Sequence, residues 1–325
     1  MRYRKLGSST LEVSVLGLGC SNFGRSVDEE GTRSVVAAAL ECGVTYFDTA
    51  DCYGKHFSSR RDAGDEGTSE TLLGRTLRAE RVERSQVVIG TKFGAPRHDM
   101  GFGPEAGAKG SRAYIRRAVE SSLRRLQTDY IDLYQIHFPD PETPIGQTLS
   151  ALSELREEGK VRHFGNSNFS AGQIRDAQHA AAAAGHEGFV SAQYPWSLVD
   201  RSGEPDPIGV AHAEGLSVIA YFPLAQGLLT GKIRLGEEPP PGSRIAKARH
   251  LIDPSRVRAM EAVRTWADAH GRSLLEVALG WLAAQPACAM VIPGASSPAQ
   301  LRANADAIGY QPSEQEQREI EDLAR

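Results

Sequence analysis

Residues 129–137 read Asp129-Tyr130-Ile131-Asp132-Leu133-Tyr134-Gln135-Ile136-His137, so the run Ile131–Ile136 delivers a histidine just past its end. A short apolar run of this kind is the signature of a buried strand. The arrangement recurs upstream: Tyr46-Phe47-Asp48 leads through Thr49-Ala50-Asp51-Cys52 to Tyr53, and the run Val87–Thr91 leads to Lys92. Further strand patterns fall at Val15–Gly19, His163–Asn166, Val190–Gln193, Ser217–Tyr221 and Met290–Ile292. Helical patterns separate them, over Asp28–Glu41, Ser69–Arg78, Ser111–Leu126, Pro144–Glu158, Ser170–Ala184, Pro207–Glu214, Pro254–His270 and Pro298–Ala305, with a capping-box helix from Ser273 through Leu282. Eight strands alternating with helices predict an α/β fold whose parallel sheet closes into a (β/α)8 TIM barrel, here with extra helices and a short amino-terminal β-hairpin around Tyr3–Lys5 and Val13.

The chain has 325 residues and a formal net charge of -4. That balance offers no basic footprint for nucleic acid or an anionic membrane. Arg116, Arg117, Arg124 and Arg125 alternate with Ile115, Val119, Leu123 and Leu126 at helical spacing, which reads as the wet face of an amphipathic helix. No apolar stretch has the length of a signal peptide core or a membrane span, so a soluble, cytoplasmic protein is expected. Cys20, Cys42, Cys52 and Cys288 lack zinc-ligand or Cys-x-x-Cys spacing and read as free thiols, with no metal expected. No linker divides the chain, so residues 1–325 read as one domain. Two long irregular stretches, Gly54–Thr68 and Gly94–Gly110, follow strands that carry polar residues, and loops of that length often cover sites.

Asp48, Tyr53, Lys92 and His137 are placed to converge at one rim of the barrel. A phenol with a free pKa of about 10 is a weak acid near neutral pH. A neighbouring ammonium favours its anion, and a carboxylate holds that ammonium charged and aimed. The expectation is therefore a phenol acidified by Lys92, with Asp48 behind the lysine and His137 donating to a carbonyl oxygen.

The chain resembles the aldo-keto reductases from about Arg4 to about Asn304. The resemblance rests on Gly17-Leu18-Gly19, the Asp48–Tyr53 segment, Thr91-Lys92-Phe93-Gly94, the Asp129–His137 stretch, Gly165-Asn166-Ser167-Asn168-Phe169, Gln193-Tyr194, the run from Pro223 to Lys232, and Ile292-Pro293-Gly294-Ala295. It implies reduction of an aldehyde or ketone by a nicotinamide, NADPH by preference with NADH kept open. It also implies roles for single residues: Ser167, Asn168 and Gln193 at the carboxamide, Tyr221 stacked on the ring, and Leu224, Gln226, Gly227 and Lys232 in a loop over the pyrophosphate. Gly294, Ser296, Gln300 and Asn304 would face the adenosine end.

Two departures from the family pattern stand out. Ser297 sits where many relatives carry a cation for the 2′-phosphate, and Phe222 replaces a small residue after the stacking aromatic. Lys55 to about Gly67 looks like an insertion, and Leu228–Ile252 resembles a cofactor-covering loop. Phe23, Phe93, Phe138 and Trp196 are candidates for an aromatic substrate pocket, and the charged insertion hints at a sugar or hydroxy-ketone. Two competing readings are a doubly wound dehydrogenase, suggested by Gly17-Leu18-Gly19, and a nicotinamide-binding sensor or regulatory subunit with little turnover.

Overall fold

The structure, a computed structural model, describes residues 1–54, 67–234, 237–238, 246 and 253–324. Strands β3 (Leu18–Gly19), β4 (Tyr46–Asp48), β5 (Val88–Phe93), β6 (Ile131–Ile136), β7 (Val161–Ser167), β8 (Ser191–Pro195), β9 (Ser217–Tyr221) and β10 (Cys288–Val291) pair in parallel, in chain order. The sheet closes on itself. Gly17 N donates to Val291 O at 2.9 Å, Val291 N to Val15 O at 2.9 Å and Gly19 N to Pro293 O at 3.1 Å. A doubly wound sheet needs a reversal of strand order at its switch point; this sheet has none, which removes that reading.

Around the barrel run α1 (Glu29–Glu41), α2 (Thr68–Ala79), α3 (Arg112–Leu126), α4 (Ile145–Glu157), α5 (Ala171–Ala184), α6 (Gly209–Ala213), α7 (Pro254–Ala269), α8 (Leu274–Ala284), α9 (Pro298–Ala307) and α10 (Glu314–Leu323). The helix expected over Pro207–Glu214 shortens to α6 because Pro207 lies in the irregular turn Glu204–Ile208, where Asp206 has non-helical angles. Serine caps open α3, α5, α8, α9 and α10, each accepting from a backbone amide three residues on. The arginines of α3 are not all in solvent: Arg112 and Arg116 pair at the surface with Glu154 of α4 and its capping Glu158, but Arg125 reaches inward to the fully buried Glu70 at 2.7 Å.

One large apolar layer packs the outer face of the strands against the helices, and a smaller one fills the barrel's lower interior. The hairpin β1–β2 (Tyr3–Lys5 with Glu12–Ser14) plugs that end, setting Leu6, Leu11 and Val13 against Leu133, Ile219 and Met290. Its turn presses close: a Cβ at Gly7, whose φ is 55°, would lie 2.1 Å from Val190 O. Gly90 makes room higher up, where an added Cβ would meet the Tyr46 hydroxyl at 2.0 Å.

Candidate active site

Period-two alternation sets what enters the barrel's upper half. Tyr46 and Asp48 of β4, Gly90 and Lys92 of β5, Gln135 of β6 and Gln193 of β8 share the interior, with Asp48 opposite Gly90, Lys92 opposite Gln135 and Ser167 opposite Gln193. Asp48 accepts four hydrogen bonds: Lys92 Nζ to Oδ2 at 2.5 Å, and Gln193 Nε2 at 2.9 Å, Tyr46 OH at 3.3 Å and Gln135 Nε2 at 3.4 Å to Oδ1. Lys92 is fully buried and donates also to Thr49 O at 2.9 Å and toward Tyr53 OH at 3.5 Å. A buried charge pair is tolerable when its remaining lone pairs and protons are satisfied, and this one is.

The structure brings the four expected residues together. The Tyr53 ring stands edge-on to His137 at 5.7 Å between centroids. His137 is fixed through its backbone, its N donating to Phe93 O at 2.8 Å and its O accepting from Asn168 Nδ2 at 2.9 Å. Burial first, then the charges of Lys92 and His98, hold His137 well below its ordinary pKa, so its imidazole is neutral.

One electrostatic expectation is reversed. Burial, and after it the charge of Asp48, push the Tyr53 phenol well above its ordinary pKa. The ammonium meant to acidify it is already shared between Asp48 and Thr49 at shorter distances. A phenol in this setting is held in its protonated form.

Ser167, Asn168, Gln193 and Tyr221 form one connected wall beside the tetrad. Tyr221 OH donates to Asn168 Oδ1 at 2.9 Å, Asn168 Nδ2 to Ser167 Oγ at 3.0 Å, and Ser167 Oγ to Gln193 O at 3.0 Å. Asn168 holds φ at 61°, a left-handed conformation that asparagine tolerates better than most residues. The Tyr221 ring is half-buried, with Phe222 edge-on to it at 5.0 Å. Leu224, Gln226 and Gly227 lie in the turn that follows, where Gln226 and Gly227 have φ of 58° and 109°, and Lys232 is exposed.

Near α9, Ser296 N and Oγ both donate to Gln300 Oε1, Gln300 N donates to the capping Ser297 Oγ, and Asn304 is buried. The Ser296 and Gln300 amides are therefore closed by the chain itself. Gly294 abuts the loop after β3, where an added Cβ would meet Asn22 Nδ2 at 3.1 Å. Arg302 is held at 2.7 Å by Glu41 of α1.

The aromatic pocket needs correction. Phe23 and Phe93 are fully buried and Trp196 nearly so, all within the outer apolar layer. Phe93 alternates outward from Lys92 and stacks on Tyr134 at 4.7 Å; Trp196 stands edge-on to Trp281 of α8 and donates to Glu204. These three are packing residues. Phe138 alone is exposed, stacked on His137 at 5.1 Å. The insertion at 55–67 lies outside the described residues except for Gly67, as does most of the Leu228–Ile252 excursion beyond Arg234.

Sequence reasoning missed three residues here. Gln135 touches both Asp48 and Gln193, and counting back two from His137 along β6 would have placed it indoors. Cys52 brings Sγ to 3.6 Å from His137 Nδ1. Asp51 is fully buried, yet neither carboxylate oxygen has a hydrogen-bond partner among the described residues. Burial and the nearby charge of Glu70 push its pKa up to about 7.

The sequence matches the model of the aldo/keto reductase family over residues 15–325. It is 35% identical over 308 residues to the uncharacterized oxidoreductase YrpG of Bacillus subtilis, covering 95% of this chain and 91% of that protein. It is 32% identical to protein tas of Escherichia coli, covering 99% and 97% of the two, and 31% identical to the aldo-keto reductase YhdN of Bacillus subtilis, covering 98% and 92%. No helix among the described residues is long and apolar enough to cross a membrane.

Proposed function

The chain belongs to the aldo/keto reductase family, whose members are oxidoreductases, and on that footing we propose that it reduces an aldehyde or ketone to an alcohol with Tyr53 as proton donor. The observation carrying this reading is the four-residue cluster at the barrel rim, in which a protonated phenol stands beside a neutral imidazole. A reduced nicotinamide, when bound, supplies the hydride that no side chain can. Ser167, Asn168 and Gln193 would hold its carboxamide, and Tyr221, its hydroxyl fixed by Asn168, would present a flat face to the ring. Leu224, Gln226, Gly227 and Lys232 would follow the pyrophosphate, and Gly294, Ser296, Gln300 and Asn304 the adenosine end.

His137 donates a hydrogen bond to the carbonyl oxygen and fixes its position. As the carbonyl carbon gains hydride, the electron pair of the C=O π bond moves to oxygen, and that oxygen takes the proton of Tyr53. The tyrosinate left behind faces Lys92 at 3.5 Å, and the attraction that is unused in the resting phenol stabilises it at this moment. Solvent then restores the phenol's proton. The whole chain acts as one soluble, cytoplasmic domain on a small carbonyl compound.

NADPH is the expected reductant. With Arg302 held by Glu41, an exposed charge is all it offers a 2′-phosphate, so discrimination against NADH should stay below about tenfold. Fluorescence titration with both nucleotides measures it directly.

Tyr53→Phe tests the central assignment. It should keep nucleotide affinity while losing about 100- to 10,000-fold in turnover across a panel of aldehydes and ketones. A variant with near wild-type kcat contradicts the assignment. Tight nucleotide binding by the wild type without turnover of any carbonyl would favour the sensor reading instead.

A further inference from the structure

Cys52 precedes Tyr53 in the chain, and its Sγ lies 3.6 Å from His137 Nδ1 with both groups buried. Among the described residues this contact is the one hydrogen bond made by the imidazole ring itself; the other His137 bonds are made by its backbone. The two rings beside it, Tyr53 edge-on and Phe138 stacked, restrict tilt but do not distinguish the two nitrogens.

We propose that Cys52 is a positioning residue for His137, its thiol donating to Nδ1 so that the ring's proton sits on Nε2 and points at the substrate oxygen. The argument is one of donor and acceptor quality. A neutral imidazole has one N–H and one bare nitrogen, and which is which depends on the partner each nitrogen finds. A thiol is a weak donor and a weaker acceptor, whereas a bare imidazole nitrogen is a good acceptor, so S–H to N is the better of the two possible bonds. The reverse tautomer would set N–H against sulfur and leave Nε2 with a lone pair facing the lone pairs of a carbonyl oxygen. Burial, followed by the charge of Asp51, keeps the Cys52 thiol protonated, so the donor is present at neutral pH.

The inference rests on the carbonyl-reduction reading for its purpose, but its test does not need turnover. Nitrogen-15 spectra of the full chain, labelled at histidine and recorded without substrate, assign the proton on His137. Wild type should show a protonated Nε2 and an Nδ1 resonance displaced by accepting a hydrogen bond. Cys52→Val should return Nδ1 to its unbonded position, and Cys52→Ser, with a stronger donor of shorter reach, should move it back. In the same series kcat should fall on the order of tenfold in the valine variant with nucleotide affinity unchanged, since a misaimed donor costs rate and not cofactor binding. A wild-type spectrum with the proton on Nδ1 overturns the proposal without any variant, as does a valine variant whose Nδ1 resonance does not move. A protein that passes the spectral test yet reduces no carbonyl would sink the proposed function and leave the tautomer assignment standing.

Discussion

Asp48 and Asp51 stand three residues apart in one segment, and both are buried, at 3% and 0% exposure. Asp48 accepts four hydrogen bonds, one of them the ion pair with Lys92; neither carboxylate oxygen of Asp51 has a partner among the described residues. Equal burial thus gives opposite behaviour. Asp48 is fully partnered and holds Lys92 at 2.5 Å, whereas Asp51 carries a raised pKa of about 7 and exchanges its proton in the neutral range. Burial alone says little about a carboxylate until its donors are counted.

Lys92→Met breaks the contrast most severely, because it turns Asp48 into a second uncompensated carboxylate. Removing one partner of a buried pair costs about 3–5 kcal/mol, so chemical denaturation should show a loss of that size together with a collapse of turnover. An Asp48→Asn exchange, which keeps the acceptor oxygen, should be milder in both readouts.

Asp51→Asn removes the other side of the contrast. The folded state binds the Asp51 proton more tightly than the unfolded chain does, so wild-type stability falls as pH rises from about 4 through about 7. Between pH 5 and pH 8 the wild type should lose roughly 2–3 kcal/mol relative to Asp51→Asn. Parallel stability curves for the two proteins would show that Asp51 does not titrate in this window.

His137 has the opposite sign. Its folded pKa lies well below the ordinary value, so protonation favours the unfolded chain and stability is lost as pH falls below about 6.5. Stability should decline steadily between about pH 6.5 and about pH 5.5 in the wild type, and that decline should be absent from His137→Gln. Measuring it in the Asp51→Asn background separates the two opposing slopes.

The smallest effect sharpens the account of Asp48. Tyr46→Phe deletes one of its four donors, at 3.3 Å, and leaves the ion pair intact. A loss of about 1 kcal/mol is expected in denaturant melts. A much larger loss would mean that the donors around Asp48 act as a unit.

Strand order was legible because each strand is an apolar run, and the meeting of Asp48, Tyr53, Lys92 and His137 at one rim was legible because each is polar where apolarity stops. Which way a side chain faces was less so. Phe93 looked like a pocket residue beside Lys92, but neighbours in a strand face opposite sides, and only barrel closure decides which side is inside. Helix α10 left no stripe to read, since Ile320 is its one buried residue. The Tyr53 phenol was misjudged for a different reason. The field at its oxygen depends on how closely Asp48 and Thr49 hold the lysine, a matter of ångströms that residue identity does not carry.

The amino-terminal hairpin has a last consequence. With Leu6, Leu11 and Val13 packed against Leu133, Ile219 and Met290, that end of the barrel is stoppered by apolar side chains, and a polar molecule has no way to Asp48 from there.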